Sequence, residues 1–296
     1  MAKPKISAPK KVDIAEAAAQ VEMPRIKWKM VTTVVGIFLV LWVTALMMMP
    51  AIGYWGVGVV GLLTVAAIGL ALYVWRLTRK QREILDIMRG AQGDSGRKEA
   101  IQRLATGADK DALKALARAQ LLAQEDPQLA IAALEAIDIE KAPSVVQDEI
   151  RSQRAMMYLF LNRPKEARDL CDAIKIERQP EAKSKAKYAA TVAEAFARTG
   201  KHDEAKKLLE DYKADDPAWT AEVGPLLYRA QVYTYVATKN RGLAKRALDS
   251  LIAIDPNMVA PFVQKNVRPE LQKLALTALA DAGLAPRPQM KVRMKP

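Results

Sequence analysis

Residues 186–219 read AKYAATVAEAFARTGKHDEAKKLLEDYKADDPAW, and this stretch decides the fold. Two amphipathic segments meet at Thr199-Gly200-Lys201-His202, and Asp216-Pro217 closes the second. Gly200 suits the left-handed residue that ends a helix, because glycine alone enters that conformation without steric cost. Pro217 stops the second helix, since it brings no amide hydrogen to the ladder. Ala193 and Ala205 are small where two helices would cross, and Phe196 and Leu209 are large enough to fill the space beside the crossing. The stretch therefore reads as a helical hairpin.

Working outward, the same arrangement recurs on both sides. Residues 225–256 carry Leu226, Tyr228 and Tyr233, then Ala244, Leu248 and Leu251, and end in Asp255-Pro256. Residues 148–180 carry Ala155 and Tyr158, then Asn162-Arg163-Pro164-Lys165-Glu166-Ala167 and Leu170. Residues 111–143 carry Leu116 and Leu121, then Asp126-Pro127, Ala130 and Leu134. The small residues early in each second helix are Ala130, Ala167, Ala205 and Ala244, at spacings of 37, 38 and 39. Such units resemble the tetratricopeptide repeat, a helix-turn-helix of about 34 residues with a turn glycine and a closing proline. The likeness is closest over 186–219, and the wider spacings imply longer turns between units.

From Arg97 to Gly283 the pattern is helical and no segment alternates with period two, so the fold class is all-α. The resemblance implies that residues 97–284 stack as an α-α superhelix, a tetratricopeptide-like solenoid. Arg97–Ala105 would cap one end and Arg268–Ala282 the other, because terminal repeats must present a solvated face.

Ahead of this domain lies a run from Val31 to Trp75 with no Asp, Glu, Lys, Arg or His. A crossing needs about 20 apolar residues, so the run fits a two-helix transmembrane hairpin over residues 29–77. The expected spans are 31–49 and 55–75, with the turn at Pro50–Tyr54. Trp28, Tyr54, Trp55, Tyr73 and Trp75 stand where aromatic rings meet headgroups. Arg25, Lys27 and Lys29 precede the run, Arg76, Arg79, Lys80 and Arg82 follow it, and the turn has no basic residue. That asymmetry predicts both termini on the cytoplasmic side. A cleaved signal peptide is the competing reading, but the run is too long and Met47-Met48-Met49-Pro50 offers no small-x-small site.

The net charge of +13 is unevenly spread. Residues 1–30, 76–82 and 285–296 each contribute +4, which leaves +1 for the rest. The positive charge thus gathers at the two ends and just after the uncharged run; the expected segments there are a tail at 1–28, a juxtamembrane helix and linker at 78–96, and a tail at 285–296. It suits anionic lipid headgroups, and the near-neutral remainder speaks against nucleic acid.

Catalytic chemistry is sparse. His202 is the only histidine and reads as an exposed turn residue. Cys171 is the only cysteine, which excludes an intramolecular disulfide, and it falls where the repeat wants an apolar filler. Phosphate loops of the GxxxxGK[ST] or GxGxxG type are absent, and no metal site or cofactor is expected. These observations predict a non-enzymatic chain. The resemblance implies a groove along the first helices, lined by Met156, Phe160, Glu194, Arg198, Arg229 and Tyr233, that takes a peptide or helix of a protein partner. The expected function is a scaffold or adaptor at the cytoplasmic face of a membrane, with the layout of bacterial inner-membrane proteins of envelope biogenesis or complex assembly. The alternative is a subunit of a transport or secretion complex in which the hairpin itself is the working part.

Overall fold

The computed structural model describes residues 28–108, 111–264 and 267–285. Every regular element among them is helical. The expected basic tails, with Arg25 and Lys27, lie outside the described residues. The described chain divides into two compact units, one ending at Arg118 and one beginning at Ala119.

In the first unit, α1 (Trp28–Met47), a short α2 (Met49–Ile52) and α3 (Trp55–Arg89) come first. Among the described residues one helix is long and apolar enough to cross a membrane, α3 over Trp55–Tyr73, while the apolar part of α1 is the shorter Val35–Met47. α1 and α3 pack together. Trp42 Nε1 donates to Thr64 Oγ1 at 3.1 Å, and that hydroxyl donates to the Val60 carbonyl at 2.7 Å. Of the expected turn Pro50–Tyr54, residues up to Ile52 are helical and Gly53-Tyr54 make the break before α3. Pro50 stands in the first turn of α2, and Gly53 adopts φ 69°, ψ −159°, a region essentially reserved for glycine. α3 continues unbroken to Arg89, with Ile84, Leu85 and Met88 at helical spacing along its last turns.

The break after α3 is shorter than the cluster Gly90-Gly93-Asp94-Ser95-Gly96 suggests, because α4 (Gly93–Ala105) already starts at Gly93. A Cβ on Gly96 would stand 2.6 Å from the Gly90 carbonyl oxygen, so this glycine allows a close approach of backbone to backbone. α5 (Ala112–Leu122) follows, and Lys114 Nζ reaches Glu83 Oε1 of α3 at 2.8 Å.

In the second unit, α6 (Pro127–Glu135) leads to three helix pairs: α7 (Ser144–Phe160) with α8 (Pro164–Asp172), α9 (Ala182–Thr199) with α10 (His202–Asp211), and α11 (Gly224–Ala237) with α12 (Arg241–Ile254). A 3-10 segment (Pro256–Val263) and α13 (Pro269–Asp281) close it. Each helix from α7 to α12 packs on the next, and α9 also packs on both α7 and α11. The crossings are made by Ala155, Ala193 and Ala230 in the first helices and Ala167, Ala205 and Ala244 in the second, all wholly buried.

The turns inside the pairs share a left-handed residue and the hydrogen bond that follows it. Asn162, Gly200 and Lys239 take φ of 60°, 101° and 60°. The next amide closes each helix on an aromatic residue's carbonyl: Arg163 on Tyr158 at 2.7 Å, Lys201 on Phe196 at 3.0 Å, Asn240 on Tyr235 at 2.7 Å. The counterpart of Phe196 is therefore Tyr235 rather than Tyr233. Segment 111–143 differs, since its turn holds no left-handed residue and Asp126 caps α6 by accepting from the Gln128 amide at 2.7 Å.

Candidate functional site

Glu194 and Arg198 stand one turn apart near the end of α9, and Arg229 and Tyr233 stand one turn apart on α11. Packing of α9 on α11 brings all four together. Glu194 Oε1 accepts from Arg198 Nη1 at 2.9 Å and from Arg229 Nη2 at 3.0 Å. Arg198 Nη1 also donates to the Leu159 carbonyl at 2.9 Å, and its Nη2 donates to Asn162 Oδ1. Its guanidinium lies 4.6 Å from the Tyr233 ring centre, and Tyr233 leans on Phe262 at 5.3 Å. One carboxylate thus serves two guanidiniums in a site where the Glu194 and Arg198 side chains are only 7% and 9% exposed. Two guanidiniums against one carboxylate leave positive charge in excess, and Arg229 Nε is buried without a hydrogen-bond partner among the described residues.

The titration of these groups follows from their surroundings. Burial works against the Arg229 charge, but Glu194 and Tyr233 outweigh it and raise the guanidinium pKa. Burial, then the Glu194 charge, pushes the Tyr233 phenol up.

Of the six residues expected to line a groove, four form this cluster. Met156 is half-buried and Phe160 is 56% exposed, both on α7 and neither part of the hydrogen-bonded network. The structure adds what the sequence did not point to. A cavity of about 220 Å³ lies against the cluster, lined by Arg198 and Tyr233 with Asn162, Pro164, Ala197, Val236, Val267, Arg268 and Leu271. Arg268 and Leu271 come from the start of α13, which the repeat pattern treats only as a cap. The one available signal was Arg268-Pro269, a basic residue fixed at a helix start.

A second network joins α7 to α9. Glu149 accepts from Lys187 Nζ at 2.8 Å, from Tyr188 Oη at 2.7 Å and from Gln153 Nε2 at 2.8 Å. Burial alone would raise the Glu149 pKa, but Lys187 and the two other donors override it and hold the carboxyl below its ordinary range.

Cys171 is buried, and its thiol faces the Thr191 carbonyl at 4.0 Å. Burial, helped by the Asp172 charge, pushes its pKa up to about 12. His202 is the first residue of α10 and half-buried, not the exposed turn residue that the sequence suggested. Among the described residues no three His, Cys, Asp or Glu side chains gather as metal ligands. Neither a family model nor a curated protein matches this chain.

Proposed function

We infer that the chain is a membrane-anchored scaffold whose helical pairs form a tetratricopeptide-like solenoid and hold a segment of a protein partner. The observation that carries the reading is the shared face of α9 and α11, where a charged and aromatic cluster borders an open cavity of about 220 Å³. A face of this kind suits an extended peptide or helix, which needs apolar anchorage and a few fixed polar groups. The equivalent turns at Asn162, Gly200 and Lys239 support the solenoid.

The anchor is the pair α1 and α3. Leu62, Val65, Leu70 and Tyr73 of α3 and Leu39, Val40 and Met47 of α1 are each more than half exposed, a surface that hydrocarbon accommodates and water does not. In this reading both helices cross, and the basic sequence Arg76, Arg79, Lys80 and Arg82 after the apolar part of α3 supports a cytoplasmic position for both ends, in a cell such as a bacterium. Recruitment during envelope biogenesis or complex assembly is the role that fits this layout.

Photocrosslinking in native membranes tests the scaffold. A photoreactive amino acid at positions 160 and 268 should give discrete protein adducts, and one at position 207, on exposed α10 surface, should not. Adducts arising only from positions 62 or 65 would overturn this reading in favour of a hairpin that works within a transport or secretion complex.

A further inference from the structure

The cavity beside the Glu194 cluster has an apolar floor and a basic rim. Tyr233, Val236 and Leu271 form its floor, and Asn162, Arg198 and Arg268 stand around it. Among the described residues no carboxylate lines it. Glu194 is already shared by two guanidiniums. The acidic residues nearest in sequence to the lining are matched as well, Glu166 with Arg163 at 3.0 Å and Glu270 with Arg241 at 2.8 Å. Arg268 is exposed and has no ion-pair partner among the described residues. Helix ends do not change this sign. α8 and α13 begin at the cavity while α9 and α11 end there, so their partial charges largely offset. The guanidiniums decide.

Size limits the occupant further. An apolar cavity of about 150 Å³ is enough for a benzene-sized group, so the roughly 220 Å³ here admits one leucine- or phenylalanine-sized side chain. A basic neighbour on the same segment would stand against Arg198 and Arg268, and like charges across an interface are repelled.

We propose that the cavity binds an acidic segment of a partner protein, with one large apolar side chain on Tyr233, Val236 and Leu271 and a flanking carboxylate on Arg268. The proposal rests on the groove reading above and gives it a partner chemistry. Arg198 is the fixed wall, since Glu194, Leu159 and Asn162 already hold its donors. Arg268 is the free hand.

The test uses the full chain in nanodiscs and a fluorescein-labelled peptide, Gly-Glu-Asp-Leu-Glu-Phe-Asp-Gly, amidated so that it has no terminal carboxylate. Its anisotropy should rise on binding. Replacing its acidic residues by lysine should weaken binding about tenfold or more, and replacing Leu and Phe by alanine should weaken it about tenfold to a hundredfold, as expected from losing one buried apolar side chain. Arg268→Glu should weaken the acidic peptide about tenfold and Arg268→Lys should keep most of the affinity, with thermal melts unchanged because the side chain is exposed. Val267→Trp, which narrows the cavity, gives an independent block. Equal binding by Arg268→Glu, preference for the lysine peptide, or binding by none of the peptides overturns the proposal. Crosslinks at positions 160 and 268 report separately on the groove, so its failure and the failure of the charge assignment are distinguishable.

Discussion

Glu194 shows why exposure, more than distance, sets the worth of an ion pair. Its contacts with Arg198 and Arg229 are 2.9 and 3.0 Å long, no shorter than the 2.8 Å contact of Arg241 with Glu270. The difference is water. Glu194 is 7% exposed, whereas Arg241 and Glu270 are 74% and 45% exposed. Removing one member of a buried pair strands its partner's charge, at a cost of about 3–5 kcal/mol, while an exposed pair is worth about 0–1 kcal/mol. Glu194→Gln should therefore lower the unfolding free energy by roughly 3 kcal/mol, somewhat less if Arg229, 18% exposed, finds water. Glu270→Gln should change it by less than about 1 kcal/mol. Urea titrations followed by circular dichroism separate the two, and similar losses from both would refute the burial argument.

Among the elements, the turns were the most legible part of the sequence and the pairing register the least. Gly200 announced its left-handed conformation because glycine has no other strong reason to sit between two amphipathic segments. Asn162 and Lys239 hold the same place without that signature, so the equivalence emerges only from φ and from the amide bonds to Tyr158, Phe196 and Tyr235. With Tyr233 and Tyr235 both aromatic, the sequence cannot tell which one closes the helix and which one meets Arg198. Half of the site was readable for a related reason. Glu194, Arg198, Arg229 and Tyr233 are among the residues that the repeat resemblance implies for the first helices, whereas the Val267, Arg268 and Leu271 wall depends on how the irregular segment after α12 returns. Phe262, wholly buried in a 3-10 segment, is invisible to any periodicity argument. The three turns also make a graded prediction. Lys239→Gly should stabilise by about 1 kcal/mol, since a left-handed residue with a Cβ costs roughly 1–2 kcal/mol. Gly200→Ala should destabilise by a similar amount. Asn162→Gly should gain less, because the Asn162 side chain accepts from Arg198. Thermal melts that ranked the three otherwise would show that the turns are not equivalent.

At the scale of the whole molecule, the proposed anchor makes a prediction about sidedness. Arg76, Arg79, Lys80 and Arg82 follow the apolar part of α3, while residues 48–54 carry no charge at all. Basic residues resist translocation, so the uncharged turn should be the part that crosses and the helical pairs the part that stays. Cysteine labelling reads this directly, and the chain is well suited to it. Its one native thiol, Cys171, is buried with a pKa pushed up to about 12, so at neutral pH the reactive thiolate is scarce and shielded. Unmodified protein should thus stay silent to a membrane-impermeant maleimide and take up label only when unfolded. Against that background, Tyr54→Cys, on an exposed residue of the turn, should react in intact cells. Lys207→Cys, exposed on α10, should react only after permeabilisation. Labelling of both positions from outside would put them on the same side and show that α3 does not cross, and labelling of Lys207→Cys alone would reverse the direction of α3; either result removes the cytoplasmic partner from the groove reading.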